Sequence, residues 1–163
     1  MDKTAFEQMY MRELPGLYRM AQGILRHTAD AQDAVQQAVL KAWQKADVIR
    51  TGQERAYLTR IVINECRNIQ RSRQRVVPVS DVPEQPDRVS GLPELRDAVD
   101  RLPEKTRIPF LLVYMEGYSV REAADIVGIT VFALKSRIKR AKKLLRLALG
   151  EEEDHNAIYA ERS

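Results

Sequence analysis

Seven lysines and arginines occupy the twelve positions from Lys135 to Arg146, and no acidic residue stands between Val131 and Leu149. Projected at about 100° per residue, Leu134, Ile138, Ala141 and Leu145 fall on one side of a helix. Phe132, Ser136, Lys139 and Lys143 fall opposite, flanked by Ala133, Lys135 and Arg140. A solvated face ordinarily interleaves both signs of charge. An unbroken positive stripe repels itself unless an anion lies against it. Phe132, turned away from the packed side, is not explained by solvation either. A DNA major groove accounts for both features, with phosphates for the cations and base edges or thymine methyls for Ser136 and Phe132.

Such a helix has to be held at an angle to a second one. The residues just before it predict that partner. Ser119 and Glu122 have the S-x-x-E spacing of a capping box, in which each side chain satisfies a backbone N–H left unpaired at a helix start. The helix they open is expected to reach about Val127 and to pack through Val120, Ala123, Ala124 and Val127. Gly128 supplies a left-handed turn, and Thr130 is the expected N-cap of the basic helix. Small residues at 123 and 124 allow the close crossing of a helix-turn-helix.

The first 76 residues read as helical throughout, without the alternation of a strand. A short helix is expected over Thr4 to about Arg12, with Pro15 ending it or starting the next. Leu14, Leu17, Tyr18, Ala21, Ile24 and Leu25 recur at helical spacing up to His27, whose imidazole would suit a helix C-terminus. A third helix, about Ala29 to Lys45, has Ala31, Val35, Ala38, Val39, Ala42 and Trp43 as its buried stripe. Its other face presents Asp33, Gln37, Leu40 and Gln44 beside Gln36 and Lys41. Leu40 is an apolar residue on a polar face, a hint of a protein partner. Thr51 and Glu54 form a second capping-box pair before a long helix to about Arg73. Leu58, Ile61, Val62 and Ile69 face inward on it, and Arg60, Asn64, Arg67 and Arg71 outward. Glu65 projects toward the inner side and is expected to pair with a basic residue or escape at the edge, because an unpaired buried carboxylate is costly.

Pro78, Pro83 and Pro86, with Asp81, Glu84 and Asp87 among them, interrupt the helical pattern. Residues 77–91 therefore read as a flexible acidic linker. Helical pattern resumes at Pro93 with Leu95, Val99 and Leu102. After Pro103, Ile108, Leu111, Leu112 and Met115 share a side. Pro109 is expected to kink that helix or delay its start to near Thr106. Residues 151–163 form a polar tail. The expected fold is all-α: two small helical domains, 1–76 and 92–150, on a flexible tether, the second containing the helix-turn-helix.

Across the 163 residues the net charge is +4 and the pI near 9.3, so the basic stretches matter locally rather than globally. The single Cys66 excludes an internal disulfide and reads as a small buried packing residue. With two histidines beside it, a thiolate–imidazole metal site is not expected. No nucleophile–base pair, phosphate loop or metal spacing points to an enzyme, and no cofactor or small-molecule substrate is expected. Neither a membrane span nor a signal segment is evident, so a cytoplasmic protein without membrane insertion is expected.

LYRMAQGILRHTADAQDAVQQAVLKAW, ERAYLTRIVINECRN and LPEKTRIPFLLVYMEGYSVREAADIVGITVFALKSRIKRAKKLL, in that order, resemble the extracytoplasmic-function RNA polymerase sigma factors of the sigma-70 family. The resemblance covers about Phe6 to Leu147. It implies a non-enzyme that binds core RNA polymerase and directs it to promoter DNA, under the control of an anti-sigma factor. It makes Asp33, Gln36, Gln37 and Leu40 the polymerase-binding set, which gives the stray Leu40 a reason. The family usually has Glu at the position of Gln37.

Asn64, Arg67, Asn68 and Arg71, with Arg60 on the same stripe, match the segment that grips the downstream promoter element and its unstacked strand. Asn68 replaces the family's common Asp, and Tyr57 stands where Trp is frequent. Phe132, Ala133, Ser136 and Lys139 would read the upstream element, with Lys135, Arg137 and Arg140 positioning phosphates. Phe132 and Ala133 depart from the small or hydroxyl residues usual there. Two other classes fit parts of the pattern: a polymerase-independent helix-turn-helix regulator, and a helical module that binds acidic proteins. A self-sufficient regulator would be expected to dimerise, and no heptad seam or apolar terminal helix serves that end.

Overall fold

The computed structural model of the chain describes residues 1–74 and 93–150, so the expected linker and polar tail lie outside the described residues. Among those described, the fold is all-α, with seven α-helices, one 3-10 turn and one π turn.

Helix α1 (Lys3–Leu25) is continuous through Pro15, where the sequence predicts a break. Its cap is Asp2, whose carboxylate accepts from the Ala5 N–H at 2.7 Å. An interior proline costs about 3 kcal/mol. Phe6, Met9, Leu17, Met20 and Ile24 all bury along one face, each worth roughly 1.5–3 kcal/mol. Together they outweigh the lost hydrogen bond, which lies on the solvent side with Pro15. Helix α2 (Thr28–Gln44) starts at His27, whose Nδ1 accepts from the Asp30 N–H at 3.4 Å. His27 thus caps the start of the following helix. Trp43, expected in the buried stripe of α2, is 42% exposed and leans on Phe6 with ring centroids 5.1 Å apart.

Helix α3 (Glu54–Gln74) begins after Gln53 rather than from a Thr51 cap, with Gly52 at φ +87° forming the approach. Leu58, Val62, Ile63 and Cys66 are buried beneath α1 and α2. Glu65 is nearly buried and pairs with Lys41 of α2, as the cost of an unpaired carboxylate requires.

In the C-terminal half, Ala98 of α4 (Pro93–Asp100) and Leu102 just after it lean on Ala141 and Leu145 of α7 (Val131–Ala148). Leu95, expected inside, is exposed. Helix α5 (Glu104–Phe110) starts at Glu104 and contains Pro109, then widens into a π turn over Leu111–Met115, where the Glu116 N–H donates to the Leu111 carbonyl. The extra residue per turn rotates the side chains that follow. Leu111 and Leu112 stay buried, whereas Met115, expected beside them, turns outward. Helix α6 (Val120–Val127) precedes α7.

The two halves share one continuous core, in which Leu17, Ile24 and Leu58 join Ile108, Leu112, Tyr118 and Ala124. Leu111 approaches α1 at Gly23, where a Cβ would stand 2.6 Å from its Cδ1. Buried Arg107 donates to the carbonyls of Leu102 at 3.0 Å and of Ile24, near the C-terminus of α1, at 3.2 Å. Burial lowers the Arg107 pKa. The three carbonyls it meets, Asp100 included, supply acceptors in place of water.

Candidate nucleic-acid interface

The helix-turn-helix forms as its local signals dictate. Ser119 Oγ accepts from the Glu122 N–H at 3.1 Å, and Glu122 accepts in return from the Ser119 N–H at 3.2 Å. Gly128 turns the chain at φ +82°. Thr130 Oγ1 then accepts from the Ala133 N–H at 3.1 Å and opens α7. Ala123, Ala124 and Ile126 bury against Leu134 and Ile138, while Val120 and Val127 are half-buried at the margin. Ile126 therefore takes a core place that the sequence gives to its neighbours.

Phe132 stands 83% exposed in the first turn of α7. Lys135, Ser136, Lys139 and Arg140 are exposed beyond it, and Ala133 and Arg137 are half-buried at its edges. The α7 N-terminus adds its partial positive charge to this face. Lys142, farther along, lies over the Tyr114 ring at 4.9 Å, and Tyr114 stacks on Phe110.

Along α3, Arg60, Asn64, Asn68 and Arg71 are exposed and Arg67 is half-buried. These residues share one stripe, but several already have partners. Arg60 donates to the Asp125 carbonyl of α6 at 2.8 Å. Arg67 stands 3.9 Å from the Glu104 carboxylate, and Arg71 donates to Asn68 Oδ1 at 2.6 Å. Arg67 and Arg137 line the same crevice, about 290 Å³, together with Glu104 and Lys105. The structure thus brings one member of each expected DNA-binding set into a single cleft.

Asp33, Gln36, Gln37 and Leu40 form one exposed face of α2, with Leu40 56% exposed. Asp33, Gln36 and Gln37 border a groove of about 500 Å³ between α2 and α3, whose other wall includes Ile69 and Arg73. Arg73 closes its end by pairing with Asp30.

A further cluster escapes the sequence reading. The Glu116 carboxylate, just after the π turn, is 2% exposed. It accepts from Arg19 of α1 at 2.9 and 3.2 Å and from Arg55 of α3 at 3.3 Å. The hydrogen bond to Glu116 raises the Arg19 pKa above its ordinary value. Arg55 also covers the Tyr118 ring at 4.4 Å, and the Tyr118 hydroxyl bonds buried Thr59 at 2.9 Å. Gly16 leaves the room, since a Cβ there would come within 3.0 Å of Glu116 Oε2. The only trace in the sequence is the pair of glycines at 16 and 23, seven residues apart and so on one face of α1.

Among the described residues no helix is long and apolar enough to cross a membrane, and no three His, Cys, Asp or Glu side chains gather as metal ligands would.

Comparison with known proteins matches both halves. A family model described as Sigma-70 region 2 covers residues 9–76, and one described as Sigma-70, region 4 covers residues 92–145. The chain is 33% identical over 155 residues to the ECF RNA polymerase sigma factor SigM of Mycobacterium tuberculosis, covering 91% of this chain and 79% of that one. Its fold is similar to that of the sigma factor RpoE in complex with the anti-sigma factor NepR from Bartonella quintana. That likeness has a TM-score of 0.80 and 28% identity, over 91% of this chain and 99% of the other. CnrH, in complex with the cytosolic domain of CnrY, is similar with a TM-score of 0.68 and 25% identity, over 91% and 90% of the two chains.

Proposed function

The chain belongs to the extracytoplasmic-function RNA polymerase sigma factors of the sigma-70 family, and from that premise we propose how its surfaces divide the work. As a sigma factor it binds core RNA polymerase and directs promoter-specific initiation of transcription. Its family acts by regulation rather than catalysis. The exposed α2 face of Asp33, Gln36, Gln37 and Leu40 docks on the polymerase, with Leu40 as the apolar anchor. The α3 stripe of Arg60, Asn64, Arg67, Asn68 and Arg71 grips the downstream element, where taking a base out of the stack costs a few kcal/mol. The α7 face of Phe132, Ala133, Ser136 and Lys139 enters the upstream major groove, with Lys135, Arg137 and Arg140 on phosphates.

In this reading residues 1–76 and 92–150 are the two functional bodies, 77–91 the tether between them and 151–163 a tail. The protein works beside the polymerase in the cytoplasm. An anti-sigma factor holds it inactive, a reading supported by the likeness to RpoE bound to NepR.

The observation that carries the division is the outward set of α7, where Phe132 is 83% exposed amid cations on a helix whose other side is packed. Sequencing the transcripts made by purified core polymerase reconstituted with this chain tests it. A set of start sites sharing one upstream and one downstream element is expected. Start sites identical to those of core polymerase alone contradict it.

A further inference from the structure

Where α3, α5 and α7 meet, the crevice of about 290 Å³ has the size of the smallest pockets that hold organic ligands. Three cations line it: Arg67 of α3, Lys105 of α5 and Arg137 of α7. Glu104 is the one carboxylate in the lining, and it stands 3.9 Å from Arg67, too far for a hydrogen bond. Lys105 and Arg137 have no ion pair or side-chain hydrogen bond among the described residues. Three cations against one carboxylate leave two positive charges unmatched.

Arg67 and Arg137 are half-buried, so salt and water screen them less than the open cations of α7. Gathering such charges without an anion works against the compact state. A phosphate monoester carries about −1.5 to −2 near neutral pH, which matches the excess. Guanidinium groups donate to its oxygens in pairs, and a lysine adds a point charge. Ile108, Pro109 and Val127 complete the lining, so one side of the crevice is apolar. An inorganic ion would leave that side against water, whereas a small organic group would cover it. Lys105 belongs to neither face proposed to read the promoter, so contact with DNA gives it no role.

We propose that this crevice binds a small organic phosphate monoester, with the phosphate on Arg67, Lys105 and Arg137 and the organic part on Ile108, Pro109 and Val127, and that the ligand competes with promoter DNA for the two arginines. The competition rests on the DNA-binding roles proposed for Arg67 and Arg137. The site itself rests on its own geometry.

AMP is a suitable probe. Calorimetric titration of the full chain with AMP at physiological salt should show one saturable site per chain. Inorganic phosphate should bind about tenfold more weakly, and adenosine should show no saturable binding. Lys105→Gln changes an exposed side chain with no bonded partner among the described residues. It should weaken AMP binding about tenfold, as loss of one charge-assisted hydrogen bond does. No saturable binding of AMP overturns the site, and so does equal binding by Lys105→Gln. Inorganic phosphate binding as tightly as AMP overturns the organic part, and adenosine doing so overturns recognition of the phosphate.

In a second arm, AMP is added to the chain before core polymerase and promoter. Promoter opening should fall at saturating AMP, whereas Lys105→Gln should open promoters normally and resist the loss. Unchanged opening by the unmodified chain overturns the competition. If polymerase with the unmodified chain selects no promoter even without AMP, the sigma-factor reading fails, and the titration still decides the site.

Discussion

The two cationic helices, α3 and α7, carry similar charges and meet different surroundings. Arg60, Arg67 and Arg71 on α3 each face a protein acceptor, and two of those acceptors belong to the opposite half of the chain. On α7, Lys135, Lys139 and Arg140 are exposed with no such acceptor described, and Phe132 stands clear of the packed side. Both surfaces are exposed, but the arginines of α3 are partly engaged within the chain. A recognition helix reads a groove as a preformed ridge. A surface that holds an unstacked strand meets its ligand only after the duplex opens, so its contacts within the chain need not break earlier. In the proposed reading, the difference separates a search step, led by α7, from an opening step, led by α3.

The largest effect should come from neither helix. Leu40→Asp on α2 puts a charge where an apolar anchor is proposed, and should weaken association with core polymerase by about 2 kcal/mol or more, roughly thirtyfold. Promoter opening should fall with it, and a pull-down with purified polymerase measures the loss. Lys139→Ala should instead leave polymerase association unchanged and lower promoter use about tenfold, within the ~1–3 kcal/mol of a base or phosphate contact. Identical defects in the two variants, compared by binding and by transcription in parallel, would break the division between the surfaces.

The buried sides of the two helices differ as well. Leu134, Ile138, Ala141 and Leu145 give α7 a packed side with nothing to titrate, whereas α3 packs the Cys66 thiol. Burial pushes that thiol up to about 12, from 9.0. The folded chain keeps the proton while the unfolded chain releases it. Stability is therefore fully present below about pH 9 and declines as pH rises toward 12, by on the order of 1 kcal/mol at pH 10. Chemical denaturation at pH 8 and pH 10 should show a smaller alkaline loss in Cys66→Ala than in the unmodified chain. An equal loss would place its cause elsewhere, with Tyr118, whose pKa burial also raises, as the first alternative.

The smallest effect concerns specificity. Phe132→Ala should leave the melting temperature unchanged, because the ring is 83% exposed and supports no packing. It should reduce the preference for thymine at one upstream position by less than about 1 kcal/mol, measured by competition between promoter variants.

What was legible in the sequence follows the range of the forces. The helix-turn-helix could be read almost residue by residue, since Ser119, Glu122, Gly128 and Thr130 act within one turn of themselves. The Lys41–Glu65 pair was readable as one of two outcomes, because a carboxylate on the inner side of α3 needs a partner or an edge. Pro15 misled for the opposite reason. Proline's local cost is fixed, whereas the burial that overrides it is gathered from other helices. Trp43 and Met115 were misplaced by projections that assume an isolated regular helix. Trp43 lies at the rim beside Phe6, and Met115 follows a π turn that shifts the phase. Glu116 was invisible as a central residue. A carboxylate before a glycine gives no sign of two arginines about 100 and 60 positions earlier in the chain.

Whether the protein reads promoters only as a partner of polymerase is measured directly by a salt titration of promoter binding, run with the isolated chain and again with core polymerase present. Alone, the chain should bind weakly, without sequence preference, and lose that binding steeply as salt rises. With polymerase it should select and open one promoter class. Tight site-specific binding by the isolated chain, unchanged by polymerase, would contradict the account.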